Sequence, residues 1–537
     1  EVLHRPVIYF ILTSVAASML AVQIFNYRQK SDSYLILFEI LTVSLSVAAS
    51  AYWVFPTIPG SDTWTHILYT KIFVSHAGIP EPGNLPPGIN DLYLFFPIAH
   101  LGVGATKIMT AVDYKTAMFL AISLPTMLST LFIFIMGRSL VNAKVGLLAA
   151  LIFSLSDYVL VRVIQPIPTS IGVTLFIIVI YLFVVNTVKV RVSYIALAIL
   201  LLFTLTMTHT VSAFVMLVFM LASLFGAYGY QLLKQERTIS ERKIVAPIML
   251  YILGGGVLGY WMYVAYIAQG VSFFDLVVDG FYKQLTARAS LGAYSAQLSE
   301  QQFSFLNIAG FLAVLFFAIL GCLLWFSRRH LSKTKVSMVT ALVALMGITF
   351  GFAAFGIKII MPERWLSFCY VLLTLLAAVG IVSIISRLGS ATLRSILLMC
   401  IVFFISLFMI SNRVSNMDSP FYTPEINQRR VYNNAEIALA ERAVKVYEGT
   451  IIADRQYGGS VIGKHLGRDH DVSFLSYPAS EEKLKEQLDQ GIFLWRDVMA
   501  ERPVQTPHYM VVLGEDFSEK LDSSHHIIYT NNDSKAY

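Results

Sequence analysis

Tyr93-Leu94-Phe95-Phe96-Pro97-Ile98-Ala99-His100-Leu101-Gly102-Val103-Gly104-Ala105-Thr106-Lys107-Ile108-Met109-Thr110-Ala111-Val112 is apolar for most of its length, yet it is interrupted by Pro97, His100, Gly102, Gly104 and Lys107. A helix of about 20 apolar residues crosses a hydrocarbon core. Whether this stretch crosses therefore sets the side on which every later segment emerges. If it lies in the interface, one side collects Arg28, Lys30, Arg138, Lys144, Lys189, Arg191, Lys234, Arg237, Arg242, Lys243, Arg328, Arg329, Lys333, Lys335, Arg387 and Arg394 in short loops. The other side, apart from Arg5 and the C-terminal region, holds Lys71, Lys107, Lys115, Arg162, Lys283, Arg288, Lys358 and Arg364, half as many in much longer loops. Cations concentrate in cytoplasmic loops. The stretch is thus read as interfacial, and the N-terminus, the first long loop 56–115, the second long loop 268–303 and the C-terminal region are expected outside.

Apolar runs on either side of it give spans at about 7–25, 34–55, 116–137, 145–160, 170–186, 193–208, 211–230, 244–267, 304–326, 336–355, 366–385 and 395–411, about twelve in all. Composition agrees: 56% of the 537 residues are hydrophobic, 13% are charged, and mean hydropathy is +0.68. That is about half the charge of a soluble domain. The first run is too long for a signal-peptide core and is read as a retained span. The chain does not begin with Met, so residues before Glu1 are left open. The net charge of +6 is explained by topology before any anionic partner. Cys322, Cys369 and Cys400 all lie in apolar runs, without disulfide or zinc spacing.

The expected organisation is a polytopic α-helical membrane domain over 1–411 and an external soluble α/β domain over 412–537. In the latter, a helix near 426–447, a strand at 450–453, a glycine-bearing turn, Val472–Leu475, a charged helix over 480–501, Tyr509–Leu513 and a hairpin at Asn531-Asn532 suggest a small layered fold.

Candidate chemistry begins where the second span ends, at Pro59-Gly60-Ser61-Asp62-Thr63-Trp64-Thr65-His66. An amphipathic helix is expected there to about Val74, with Trp64, Ile67, Leu68 and Ile72 as an apolar stripe for the interface. Asp62 and His66, four apart, share another face, within reach of water and lipid headgroups. Alone, Asp62 reads first as the N-cap of that helix and His66 as a solvated imidazole. Asp157 falls at the outer end of the fourth span, where ionisable groups are expensive and often functional; an interfacial carboxylate is an equal reading. His209 sits in the short turn Thr208-His209-Thr210 and reads better as a structural histidine unless the fold brings it to Asp62 and Asp157. Met361-Pro362-Glu363-Arg364-Trp365 opens the eleventh span. Arg364, with Glu363 beside it, is placed to hold a phosphate with its guanidinium fork, or to anchor at the interface with Trp365. Residues His465, Asp469, His470 and Asp471 lack a strong ligand spacing and read as a solvated loop.

The order of these parts resembles the GT-C superfamily of membrane glycosyltransferases, which includes oligosaccharyltransferases, protein mannosyltransferases and aminoarabinose transferases. The resemblance runs from Asp62 through His66 and Gly78-Ile79-Pro80 to Tyr93-Leu94-Phe95-Phe96-Pro97, which is similar to the first external loop of that superfamily. It implies that Asp62 matches the acidic catalytic residue, Asp157 the acidic position of the second external loop, and Arg364 an arginine holding the carrier phosphate. The Trp-Trp-Asp-Tyr-Gly motif of oligosaccharyltransferases is missing, and Asp454-Arg455-Gln456-Tyr457-Gly458 is no substitute, so sequon recognition does not carry over.

The resemblance implies a plasma-membrane enzyme. Its partners would be a polyprenyl-phosphate-linked or polyprenyl-diphosphate-linked sugar donor and an acceptor that is a protein, lipid or glycan, with no nucleic acid. Asp62, Asp157 and His66 form the catalytic candidates, Arg364 and Glu363 the lipid-phosphate site. Asp62, Asp157 and His209 are candidate ligands of a divalent metal, Mg or Mn; the superfamily has members with and without one. Two alternatives stand beside the enzyme: a transporter or flippase, which would show paired repeats and buried charges, and a noncatalytic scaffold whose outer domain binds glycans.

Overall fold

The computed structural model describes residues 5–27, 31–85, 91–188, 191–234, 244–267, 305–327, 331–354, 361–412, 431–467, 472–475, 486–502, 504–506, 510–531 and 533–537, with 29, 275, 278, 279, 282, 414 and 415. Nearly all of the expected 268–303 loop, and Asp469, His470 and Asp471, lie outside these residues.

Long apolar runs fold as helices because in lipid every backbone N–H and C=O has to be bonded within the segment. In chain order these are α1 (Val7–Asn26), α2 (Asp32–Val54), then the two short helices α3 (Ser61–Ser75) and α4 (Ile98–Thr110), and α5 (Tyr114–Leu140). Next come α6 (Ala143–Ser154), α7 (Asp157–Ile164), α8 (Pro168–Val188), α9 (Val192–Thr208), α10 (Thr210–Lys234) and α11 (Pro247–Ile267). The membrane part closes with α12 (Phe305–Trp325), α13 (Lys333–Ala354), α14 (Pro362–Ser386) and α15 (Ala391–Ile410).

Ten helices among the described residues are long and apolar enough to cross a membrane, and the pair α6 and α7, bent by 57°, brings the number to eleven. With α9, apolar but 17 residues long, each of the twelve expected segments coincides with a helix or a helix pair. The fourth is the exception in shape. Ser156 leaves the helical region at φ −69°, ψ 137°, and α7 restarts at Asp157 in a new direction. The decisive stretch 93–112 forms a 3₁₀ turn, Asp91–Phe95, and the 13-residue α4, well short of a span.

α14 is held close to α12 by a glycine pair: a Cβ on Gly321 would stand 1.9 Å from the Leu376 carbonyl oxygen, and one on Gly380 2.2 Å from that of Phe317. Small residues let two helix backbones approach where lipid gives no hydrophobic drive. The contact lies towards the C-terminal end of α14; Arg364 is carried at its other end.

The C-terminal part begins with α16 (Asn434–Val446), whose Asn433 and Glu436 form a reciprocal capping box. Its five-stranded sheet has the order β2-β1-β3-β7-β6, with β1 (Thr450–Ala453) parallel to both β2 (Val472–Phe474) and β3 (Gly491–Arg496), and β7 (Ser534–Ala536) antiparallel to β3 and to β6 (Tyr529–Asn531). A separate pair joins β4 (Val504–Gln505) to β5 (Met510–Val511), and α17 spans Glu515–Ser524. The charged helix expected over 480–501 is corrected here: Gly491–Arg496 is a central strand, because Ile492, Phe493, Leu494 and Trp495 are all buried and a strand covered on both faces shows no alternation.

The two parts share a core. Trp64, Ile67 and Val103 of α3 and α4 belong to one buried cluster with Tyr432, Leu439, Tyr457 and Val461. This corrects the expected lipid-facing stripe of α3: Trp64, Ile67 and Ile72 are buried against protein, with the π-helix Gly458–His465 and α4 as neighbours.

Candidate functional site

The loop from α2 into α3 is pinned at several points. The Lys115 ammonium donates to the carbonyl oxygens of Phe55, at 2.5 Å, and Pro56, at 3.4 Å, and stands 4.5 Å over the Tyr52 ring. Thr57 exchanges hydrogen bonds with the backbone of Tyr432, donating through Oγ1 to its carbonyl at 2.9 Å and accepting from its N–H at 3.1 Å. Gly60 then turns the chain at φ +91°, with Gln165 so close that a Cβ would stand 2.6 Å from its Oε1. A side chain there would be both strained and crowded. The helix starts at Ser61 with Gly60 as its N-cap residue, so Asp62 lies inside the first turn and is not the cap.

Asp62 and Arg364, 302 residues apart in sequence, meet. An Arg364 Nη2 donates to Asp62 Oδ2 at 2.6 Å, with the side chains 17% and 56% exposed respectively. An ion pair this open to water adds at most about 1 kcal/mol to stability. The pairing is therefore more informative about chemistry than about folding: a carboxylate and a guanidinium fork face one water-accessible place. Arg364 is set by the first turn of α14. Met361 adopts the left-handed region at φ +49°, and Ser367, one turn on, donates to the Tyr158 carbonyl at 2.9 Å while accepting from Arg162 Nε at 3.2 Å. Trp365 is fully buried, in an edge contact with Phe214 at 5.7 Å, so the segment is not an aromatic-belt anchor. The side chain of Glu363 lies outside the described residues.

His66 does not share that exposed place, which corrects the expectation that it faces water beside Asp62. It is 4% exposed, and its Nδ1 is 3.0 Å from Nε2 of His100, itself 1% exposed, under the ring of Tyr93. One hydrogen lies between the two nitrogens, so the pair is built for neutral rings. Burial pushes His100 down to about 4 and His66 well below its ordinary value, the latter aided by His100, His209 and the positive charges of Arg364 and Lys464. The sign follows from linkage: the unfolded chain binds these protons below about pH 6.5 and the folded chain does not, so stability is constant above pH 6.5 and falls as pH drops towards 4. We expect the thermal midpoint in detergent to fall between pH 7 and pH 5, and the fall to shrink in His100→Phe. A slope of the same size in that variant would remove this assignment.

Asp157 is likewise buried. It is 1% exposed, accepts from the Tyr158 N–H at 2.7 Å through Oδ1 and from Asn412 Nδ2 at 2.8 Å through Oδ2, while the same Asn412 amide donates to the Asn307 carbonyl. Its carboxylate ties the break between α6 and α7 to the start of α12 and the end of α15. His209 is 6% exposed and has both ring nitrogens engaged: Nδ1 accepts from the Ser212 N–H at 3.3 Å, and Nε2 is 3.2 Å from Thr169 Oγ1. The expected metal set of Asp62, Asp157 and His209 therefore does not assemble. Among the described residues no three His, Cys, Asp or Glu side chains converge as metal ligands.

The π-helix Gly458–His465 also contributes, which corrects the reading of His465 as part of a solvated loop. Its His465 ring packs edge-on to Trp64 at 5.2 Å, and Lys71 donates to the His465 carbonyl at 3.2 Å. Lys464 is thereby held close enough to act electrostatically on His66, one turn from Asp62. No local pattern links position 464 to α3; only the docking of the two parts does.

No curated protein matches the chain. Solved structures do. ArnT from Cupriavidus metallidurans bound to undecaprenyl phosphate aligns with a TM-score of 0.53 at 9% identity, over 94% of this chain and 98% of that one. Its apo state gives 0.50 at 10%, over 95% and 98%. The Archaeoglobus fulgidus oligosaccharyltransferase in complex with zinc and sulfate gives 0.51 at 11%, over 86% of this chain and 68% of that one. At such identities the likeness is one of fold, and the fold is that of the GT-C superfamily: a helical membrane part followed by a C-terminal domain with a sheet. Residues 99–490, well over half of the chain, match one family, and the chain belongs to it: the family of unknown function DUF6541.

Proposed function

We propose that this protein is a membrane glycosyltransferase that moves a sugar from a polyprenyl-phosphate or polyprenyl-diphosphate carrier to an acceptor, with inversion at the anomeric carbon. The observation that carries the reading is the meeting of Asp62 and Arg364 at 2.6 Å in a water-accessible position. With the cation-rich loops cytoplasmic, this position faces the outside of the plasma membrane, as does the C-terminal domain.

In the step proposed, an acceptor O–H or N–H attacks the anomeric carbon and the bond from that carbon to the carrier phosphate oxygen breaks. The acceptor proton passes to the Asp62 carboxylate, acting as general base. The departing lipid phosphate keeps the bonding electron pair and gains charge, which the Arg364 fork stabilises. A lipid phosphate leaves without prior protonation, so one carboxylate suffices. The resting ion pair fits this division: an arriving phosphate draws the guanidinium, and Asp62 becomes free to accept a proton. Lys464 adds a second positive charge from the soluble side. Among the described residues no three His, Cys, Asp or Glu side chains converge, and no step is routed through a metal.

The direct test incubates the purified full chain with a panel of labelled polyprenyl-phosphate and polyprenyl-diphosphate sugars and a membrane-envelope acceptor fraction. Release of polyprenyl phosphate or diphosphate, coupled to a labelled product, is the expected result for at least one donor. No turnover across the panel would overturn the reading.

A further inference from the structure

A second recess lies in the C-terminal domain, at the opposite end of its sheet from the membrane part. The chain that docks on α3, Asp454–His465, leaves the C-terminal end of β1. The recess opens where β1 and β3 begin, between Tyr447, the turn Asp489-Gln490-Gly491 and the end of α17. It is a cleft of about 320 Å³, within the size range of small-molecule sites. Its floor is apolar, with Phe493 and Leu521 buried, and its rim is polar, with Asp489, Gln490, His525 and His526.

The cleft depends on missing side chains. A Cβ on Gly449 would stand 2.6 Å from the Cζ and Oη of Tyr447, so this glycine leaves room for the phenol of a residue that lines the cleft. Gly491 admits the β1 backbone in the same way, with a Cβ 2.0 Å from the Thr450 carbonyl oxygen. On the rim, His525 is oriented from both sides: Nδ1 is 2.7 Å from Ser524 Oγ, and Nε2 is 3.8 Å from Asp489 Oδ1. Asp489 is 61% exposed and Ile528, also on the rim, is 63% exposed.

We propose that this cleft binds a neutral saccharide, one or two rings of a glycan chain. A sugar ring has an apolar C–H face and an edge of vicinal hydroxyls that both donate and accept. The Tyr447 ring and Ile528 suit the first. A carboxylate, a side-chain amide and imidazoles suit the second, because together they offer both donors and acceptors. The Asp489 charge disfavours phosphates, sulfates and nucleotides. Since the cleft faces away from α3, it holds a glycan at a distance from Asp62, and its binding does not depend on the glycosyltransferase reading.

The experiment is saturation-transfer NMR on the full chain in detergent, with maltotriose, mannotriose and chitotriose as probes. At least one probe is expected to show enhancement of its ring protons. Binding should weaken at least fivefold in Asp489→Ala and in Gly449→Ala and stay unchanged in Asp62→Asn. Asp489 is exposed enough that its replacement should leave the melting curve in place. The proposal is overturned by no signal from any probe, by a signal that persists unchanged in both cleft variants, or by preferential capture of a phosphorylated sugar or a peptide at the same residues.

Discussion

Replacing Asp62 by asparagine lowers the rate of sugar transfer by about 10²- to 10⁴-fold, the range supplied by one positioned proton acceptor. Asparagine has the same size, and its amide oxygen still accepts from Arg364 Nη2, so the guanidinium keeps its place. What disappears is the carboxylate that takes the acceptor proton. Because the pair is open to water, with Asp62 56% exposed, its contribution to folding is at most about 1 kcal/mol, and the thermal midpoint should barely move. The KM for the lipid-linked donor should also change little, because Arg364 and Lys464 remain. The measurement is kcat and KM with a turned-over donor, beside a melting curve for each protein. A kcat equal to that of the parent, or a loss matched by a drop in stability, would remove Asp62 as the general base.

The sequence made much of this legible, for identifiable reasons. Apolar length is a strong signal, so the long helices were readable, as was the interruption that leaves 93–112 with a helix too short to be a span. Asp62 and Arg364 each stood out locally, one at a helix start and one at a span end. Their pairing did not, because it spans 302 residues and depends on how α3 and the start of α14 are brought together. Asp157 misled in its exposure: a carboxylate expected at the water-facing end of a span is buried and bonded by Asn412, 255 residues away. His66 belongs to the same class of error, its exposure decided by His100 and Tyr93 from the following segment. Ile492 to Trp495 were assigned to a helix because a strand buried on both faces has no period to read.

The second large effect concerns how the C-terminal domain is held on the site. Arg496 is 3% exposed and bonds two carboxylates, Asp454 Oδ2 at 2.6 Å through Nη2 and Glu436 Oε1 at 3.3 Å through Nη1, with Glu436 and Asp454 1% and 0% exposed. Burial alone would lower its pKa, but the two carboxylates outweigh that and hold it above the ordinary value. The guanidinium also lies 4.7 Å over the Tyr457 ring and 5.6 Å over that of Tyr432, the residue whose backbone is bonded to Thr57. Arg496→Met leaves two buried carboxylates without their cation, a loss of about 3–5 kcal/mol. Tyr457 begins the turn into the π-helix that seats His465 on Trp64, so transfer activity should fall together with stability as Lys464 loses its place. A triple variant separates charge from shape. Glu436→Gln keeps the capping box and Asp454→Asn keeps the cap of Arg455–Tyr457. Combined with Arg496→Met, they remove all three charges and should restore most of the stability, because an uncharged packed site can equal a buried ion network. Melting curves and limited proteolysis of the full chain read both variants. An unchanged melt for Arg496→Met, or a triple variant no more stable than the single one, would show that the buried charges do not anchor this domain.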